Sequence, residues 1–283
     1  MIIDTRKIDG MIASLAFLYN IDVCTLQRHI VYAAFKARQD KYGFNDDVFE
    51  KELLEIFSSL QPCNTIDEIY VYHLTRRLSC KAEDFSSDNL KSLLLGKSLI
   101  SDFLKKHEVS FVISDDHPVL VYKGQEVNLC DTNKNDVCYL RSRLGYSIRR
   151  KDYCFNGFAF RDLLMKNQYT LNLYYCPEFI NVLSRFLKNK QIIKDYFENS
   201  RYYCLTYKLK LTDILFDEKD SLNNDEKVNY FLVKICYRIW EYMQDPRYLF
   251  DNENPIIRIP DNACISASNL ISKEIITYEM IEQ

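Results

Sequence analysis

The segment IDEIYVYHLTRRL, residues 66 to 78, is the stretch from which the fold is best predicted. Its side chains alternate with the period of two that a β-strand requires. One face then carries Ile69, Val71, His73 and Thr75, and the other carries Tyr70, Tyr72 and Leu74. We expect a β-strand here.

The chain before this strand has the pattern of helices. Leu26, Ile30, Val31, Ala34 and Phe35 share one helical face after a Thr25 cap, and Asp47 with Glu50 forms a capping box for a helix that reaches Leu60. The segment QPCNT, residues 61 to 65, breaks this pattern. We therefore predict a helical N-terminal region, residues 1–62, followed by a second domain, residues 63–283.

Short strands and helices are predicted along the second domain. Three helices are predicted: residues 88–106 from an Asp88 cap, PEFINVLSRFLKN with Pro177 in its first turn, and NDEKVNYFLVKICYRIWEYM. NGFAFRDLL is predicted as a strand end that runs into a helix. The strands are VSFVI, VLVYKGQEVNL, a half-buried strand from residue 202, and IIRIP, CISAS and EIITY; residues 130 to 152 are predicted as a long loop. Helices first and scattered strands later indicate the α+β class rather than alternating βαβ units.

Composition excludes several classes of protein. The chain has 283 residues, 47% hydrophobic, with a net charge of −3. This favours a packed core over disorder, and it argues against a surface built throughout for nucleic acid. Only six glycines occur, and neither GxGxxG nor GxxxxGK[ST] is present, which excludes Rossmann and P-loop nucleotide sites.

The sequence also predicts where the protein resides. No signal peptide and no apolar run of ~18 residues is visible, so we expect no membrane span. The ten cysteines never form CxxC, and no paired zinc ligands accompany them. Reduced thiols, no bound metal and a cytoplasmic location are the expectation.

His73 and Thr75 are the first candidates for chemistry. Because they lie two residues apart on one strand, both side chains emerge on the same face. An imidazole and a hydroxyl so placed can both hydrogen-bond a small ligand such as a ribose. The alternative interpretation is a structural histidine that is bonded to a backbone carbonyl.

Three segments resemble ADP-ribosyltransferases of the diphtheria-toxin and poly-ADP-ribose-polymerase kind. YHLTRRL looks like their first strand, which holds the nicotinamide ribose, and FNGFAFRDLL is similar to a middle element that precedes a helix. ENPIIRIPDNACISASNLI resembles their late strand, in which a glutamate precedes an apolar stretch. The order of the three segments along residues 66 to 283 carries more weight than any one of them.

The resemblance implies a role for particular residues. His73, Thr75 and Arg76 would bind NAD, Asn156, Gly157 and Phe158 would line the nicotinamide pocket, and Glu253 would be the catalytic acid with His73. Pro255 loosens the spacing after Glu253, which leaves Asp251 and Glu274 as alternatives. The central tyrosine of the family is not placed by the sequence; Tyr153 and Tyr169 are candidates.

The resemblance also implies a fold and partners. The fold would be a split mixed or antiparallel β-sheet with flanking helices. The activity would be transfer of ADP-ribose from NAD, without a metal, to RNA, DNA or a protein. The composition resembles prokaryotic toxins of toxin–antitoxin or phage-defence systems, for which an antitoxin partner would be expected.

A basic run with interleaved tyrosines lies between residues 139 and 153. Its cations are Arg141, Arg143, Arg149, Arg150 and Lys151. Arginines contact phosphates while tyrosines stack on bases, so the run suits single-stranded nucleic acid or the pyrophosphate of NAD. Two alternatives to an enzyme follow: a nucleic-acid-binding protein that uses this run, and an adaptor whose helical N-terminus docks another chain.

Overall fold

The structure is a computed structural model, and it describes residues 1–39, 43–79, 85–131, 133–146, 151–245, 247, 249–251 and 253–281. The helices within these ranges are α1 (Ile8–Leu18), α2 (Val23–Ala37), α3 (Asp46–Leu60), α4 (Leu90–Leu95), α5 (Leu99–Lys106), α6 (Asn135–Arg143), α7 (Gln168–Tyr175), α8 (Glu178–Phe186), α9 (Gln191–Glu198) and α10 (Asn224–Gln244). The strands are β1 (Arg38–Gln39), β2 (Gly43–Phe44), β3 (Glu68–Leu78), β4 (Val109–Ser114), β5 (His117–Tyr122), β6 (Gln125–Glu126), β7 (Asn156–Phe158), β8 (Ser200–Lys210), β9 (Leu215–Phe216), β10 (Ile256–Arg258) and β11 (Leu270–Ile275). The protein therefore belongs to the α+β class, as predicted.

The strand that anchors the prediction is β3, which lies inside a six-stranded sheet. The strand order is β11-β8-β3-β7-β10-β9. β3 and β7 run antiparallel, with Tyr72 opposite Phe158. A second sheet is the antiparallel meander β4-β5-β6. Its first turn has positive φ at Asp115 and Asp116, as a type I′ turn requires, and such a turn suits the right-handed twist of the two strands that it joins.

Two predicted helix caps are wrong by a few residues. Asp22, not Thr25, caps α2, because its side chain accepts a hydrogen bond from the Thr25 backbone N–H. Asn45, not Asp47, caps α3 in the same way. In both places the cap residue has extended backbone before the first helical turn, which is what a cap requires.

The exposed side of α2 also differs from the prediction. Val31 and Phe35 were predicted to share one face with Leu26 and Ile30, but both are exposed while Leu26 and Ile30 are buried. The buried stripe is rotated toward Ala33, Ala34 and Ala37. Small side chains here allow neighbouring helices to approach closely.

Between residues 88 and 152 the sequence prediction needs two corrections. The single helix predicted for residues 88–106 is two helices, α4 and α5, which are separated at Gly96 and capped by Asn89 and Ser98. The loop predicted for residues 130–152 contains α6. Only Val137 and Leu140 of α6 are buried, so its sequence has little apolar periodicity to reveal it.

Other corrections fall in the last half of the chain. NGFAFRDLL continues into a 3-10 turn, Leu164–Lys166, rather than a helix. The strand β8 is buried on both faces from residue 202 to 207, not half-buried. CISAS leads into the 3-10 turn Ala267–Asn269, and β11 follows it.

The chain divides into two compact units, each of which is built from three separate segments of the sequence. Unit one contains residues 1–72, 158–167 and 207–257, and unit two contains residues 73–157, 168–206 and 258–283. This division does not follow the predicted boundary after residue 62, because α10 packs with α1, α2 and α3 inside unit one. In unit two, α5, α6, α8 and the β4–β5 hairpin enclose a core around Leu104, Leu140 and Leu183.

None of the described helices alone has the length and hydropathy that a membrane span requires. α1 and α2 meet the requirements only as a pair, and they are bent by 97° at the break between them.

Candidate functional site

His73 lies at the start of the part of β3 that belongs to unit two, beside the first residue of β7. Its Nδ1 is 2.7 Å from the backbone oxygen of Asn156. The Phe155 ring lies against the imidazole, with centroids 4.3 Å apart. Since a carbonyl oxygen only accepts, Nδ1 carries the proton and donates it, which leaves Nε2 as an acceptor.

The protonation state of His73 follows from its surroundings. Burial, together with the nearby Arg77 charge, lowers the pKa of His73 to about 3, although the Asn156 carbonyl acts in the opposite direction. The imidazole is therefore neutral at physiological pH. The unprotonated Nε2 can accept a hydrogen bond from a ligand hydroxyl, whereas an anion has no proton to donate to it.

Thr75 follows on the same side of β3 and is half-buried, as His73 is. Alternate residues on a strand are ~6.6–6.8 Å apart, which is close enough for the imidazole and the hydroxyl to contact the same small ligand. Asn156 is exposed beside them. Its Oδ1 lies 3.4 Å from the Cys154 sulfur and accepts from that thiol.

Cys154 and its neighbours support this site without contributing a nucleophile. Burial raises the pKa of the Cys154 thiol, although Arg258, whose Nη1 is 3.7 Å from the sulfur, acts against that shift. Cys154 is therefore a protonated thiol rather than a reactive thiolate. The Cys154 thiol is also 3.8 Å from Asp152 Oδ1.

The other predicted pocket residues are divided between the units. Gly157 is buried in unit two, and Phe158 belongs to unit one, where it lies opposite Tyr72. Tyr153 is buried, and its hydroxyl donates to the Leu144 carbonyl at 2.9 Å. Of the two candidate tyrosines, only Tyr169 is exposed.

Arg76 has a structural environment rather than the predicted phosphate contact. Its buried guanidinium donates to the Ser200 hydroxyl at 2.8 Å and to the carbonyls of Tyr174, Phe197 and Ser200. It also stacks over the Phe197 ring at 4.2 Å. These contacts use the guanidinium donors within unit two.

The three candidate acids have different surroundings. Glu253 is exposed in unit one and forms an ion pair with Lys234 at 2.9 Å. Asp251 is buried and accepts from Arg238, Asn167 and Asn254, which favours a structural role. Glu274 is exposed on β11 in unit two.

Most described cations of the basic run have partners within unit two. Arg143 pairs with Asp152 at 2.8 Å, and Lys151 pairs with Asp116 at 2.7 Å. Arg141 donates to the Leu129 carbonyl and lies over the Tyr146 ring. Arg149 and Arg150 lie outside the described residues.

The sequence interpretation missed a buried charge cluster in unit one. Arg238 of α10 is paired with Asp251 at 2.5 Å, and the Asp162 carboxylate lies 3.7 Å from its Nη1. The sequence did contain a signal for this cluster, because Arg238 lies about one turn from Ile235 and next to Ile239, on the apolar side of an amphipathic helix. Within the described ranges, no group of three or more metal-binding side chains is found.

The low pKa of His73 predicts a specific dependence of stability on pH. The unfolded chain takes up a proton at this residue near pH 6.5, while the folded chain does so only near pH 3. The stability that His73 contributes is thus complete above pH 6.5 and is lost as the pH falls toward 3. Thermal unfolding from pH 7.5 to 4.5 should show a smaller fall in Tm for His73→Gln than for the wild type. Parallel Tm curves would contradict a neutral imidazole in the folded protein.

Comparisons with known proteins gave no match. The chain matches no family model, no curated protein and no solved structure.

Proposed function

We propose that this protein transfers ADP-ribose from NAD to an acceptor, and that His73 and Asn156 form part of the site for NAD. The observation that carries the proposal is the hydrogen bond between His73 Nδ1 and the Asn156 backbone. It joins two of the three segments on which the family resemblance rests, although they are 83 residues apart.

The chemistry of the His73 site fits a ribose. Nε2 of the neutral imidazole accepts a hydrogen bond from a ribose hydroxyl, and the Thr75 hydroxyl can donate or accept on the same face. A phosphate would need donors, and Arg76 is bonded within the protein. We therefore assign His73 and Thr75 to the nicotinamide ribose rather than to the pyrophosphate.

In the proposed reaction, the bond between ribose C1′ and the nicotinamide nitrogen breaks, and nicotinamide leaves with the bonding electrons. The acceptor attacks C1′ with a lone pair and loses its proton to solvent. A carboxylate stabilises the positive charge that develops on the ribose in the transition state. Following the resemblance alone, we assign this carboxylate to Glu253, which is exposed in unit one and forms an ion pair with Lys234.

The acceptor class is the open part of the proposal. RNA, DNA and protein are all compatible with it, and a toxin or defence role with an antitoxin partner remains an expectation from the resemblance. The described cations of the basic run are paired internally, which reduces the support for a nucleic-acid-binding protein without enzymatic activity.

The test is incubation of the purified chain with NAD that is labelled in the ADP-ribose part, together with cellular RNA, DNA and protein. We expect label on one acceptor class and equimolar release of nicotinamide. Glu253→Gln should reduce both by about a hundredfold or more, because it removes charge stabilisation, while Glu274→Gln is the matched control.

If Glu274→Gln abolished transfer and Glu253→Gln did not, the catalytic role would belong to Glu274. A folded chain, free of any inhibitor, that releases no nicotinamide with any acceptor would overturn the proposal.

A further inference from the structure

The helix α2 has an inner stripe that packs against the protein and an outer stripe in which exposed apolar side chains stand beside Gln27 and Arg28. The inner stripe is buried. The outer stripe has helical spacing of i, i+3, i+4, i+7, i+8 and i+11, and consists of Cys24, Gln27, Arg28, Val31, Tyr32 and Phe35. The exposed apolar side chains of the outer stripe are in excess of what the helix needs for its own core.

The outer stripe forms the floor of an open groove. Phe35 is 69% exposed, Tyr32 49% and Val31 41%. Met243 from the end of α10, 38% exposed, closes one side. The groove has a volume of about 570 Å³, and all of its lining residues belong to unit one. Contiguous exposed apolar surface of this kind marks a binding site more often than isolated apolar side chains do.

Cations predominate along α2 and next to the groove, although the helix begins at the N-cap Asp22 near Arg28. α2 contains no aspartate or glutamate between residues 23 and 37. Arg28 lies within the stripe, the Lys36 amine is 5.5 Å from the centre of the Tyr32 ring, and Arg38 follows the helix. An occupant therefore needs apolar side chains for the floor and carboxylates for the cations.

We propose that this groove binds an amphipathic α-helix of another protein, in which Asp or Glu residues flank an apolar stripe. A helix fits because its row of side chains can pack along the exposed stripe of α2, with anchors at i, i+3, i+4 and i+7. This inference does not depend on the proposed transferase activity.

The other two occupants fit the groove less well. A second copy that docked α2 against α2 would bring Arg28 and Lys36 close to the same cations, which is unfavourable. A bilayer surface attracts basic amphipathic helices, but such helices carry their cations on the polar face, whereas here Gln27 and Arg28 lie within the stripe itself.

The proposal is tested with two fluorescent helical peptides of about 15 residues, the length of α2. Both carry the same leucine stripe; one has flanking glutamates and the other has flanking lysines. By fluorescence anisotropy with the full chain, the glutamate peptide should bind roughly tenfold more tightly or better. Phe35→Asp should weaken that binding by at least about tenfold, and Arg28→Glu should reverse the preference.

The matched control is Phe17→Asp on α1. Phe17 is 64% exposed but does not line the groove, so this change should leave peptide affinity unaltered. Circular dichroism of each variant shows whether it is folded.

Three results would overturn the proposal. The first is equal affinity for both peptides, or binding that Phe35→Asp does not change. The second is no peptide binding but sedimentation with phosphatidylserine vesicles that Phe35→Asp abolishes, which would assign the groove to a membrane. The third is a dimer in sedimentation velocity that Phe35→Asp dissociates, which would assign it to a second copy.

Discussion

Replacing Arg238 by methionine is expected to lower the free energy of unfolding by about 3–5 kcal/mol, the cost of leaving a buried carboxylate without its cation. Arg238 is 1% exposed. Its guanidinium pairs with Asp251 at 2.5 Å, and the Asp162 and Glu241 carboxylates lie within 4 Å. Burial already raises the pKa of Asp162, and removal of Arg238 would raise it further. Urea denaturation at pH 7 measures the loss.

The position of Arg238 makes this loss more than local. Asp251 also accepts from Asn167 and Asn254, and Asn254 exchanges hydrogen bonds with the Phe160 backbone. The cluster thus joins α10 to two separate segments of unit one. An unpaired Asp251 would weaken all of these attachments together.

Two variants test whether charge is the cause. Lys234→Met removes the partner of Glu253 from the same helix, but that pair is partly exposed, so we expect a change below about 1 kcal/mol. Adding Asp251→Asn to Arg238→Met should recover part of the lost stability, because the uncompensated charge is gone. If the double variant is as unstable as the sum of the two single changes, packing rather than charge explains the effect.

Replacing His73 by alanine is expected to reduce NAD-dependent transfer by about a hundredfold or more, if the proposed function holds. The change removes the Nε2 acceptor and also frees the Asn156 carbonyl, which His73 Nδ1 now contacts. Loss of one hydrogen bond directed at the reacting group typically has an effect of this size. Initial rates of nicotinamide release, at NAD concentrations that separate kcat from KM, measure it.

His117→Ala is the matched control for this experiment. His117 is the first residue of β5 and contacts the Tyr146 ring. It lies outside the His73 site, so the rate of the variant should stay within a few-fold of the wild type. His73→Gln retains an acceptor and should restore part of the rate. Wild-type activity of folded His73→Ala would exclude His73 from the reaction.

The sequence was most informative where structure depends on local pattern. The alternation in residues 66 to 78 predicted β3, and the amphipathic stripe predicted α10. It failed at α6, where two buried side chains leave too little periodicity, and at residues 88 to 106, where Gly96 separates two short helices.

The candidate site was only partly predictable. His73, Thr75 and Asn156 were chosen from motif resemblance, and the bond between His73 and the Asn156 carbonyl agrees with the structural alternative as well as with the functional one. Arg76 shows the limit of such motifs. An arginine beside a candidate ligand strand suggests phosphate binding, and only its contacts with Tyr174, Phe197 and Ser200 reveal a structural role.

The sequence by itself determined the α+β class, the position of β3 and the presence of the N-terminal and C-terminal long helices, because propensity and periodicity act over a few neighbouring residues. The tertiary structure decided which stripe of α2 is buried, which cations are paired, and that His73 meets Asn156. Each of these depends on residues far apart in the chain, and their burial and charge pairing arise only when the elements pack together.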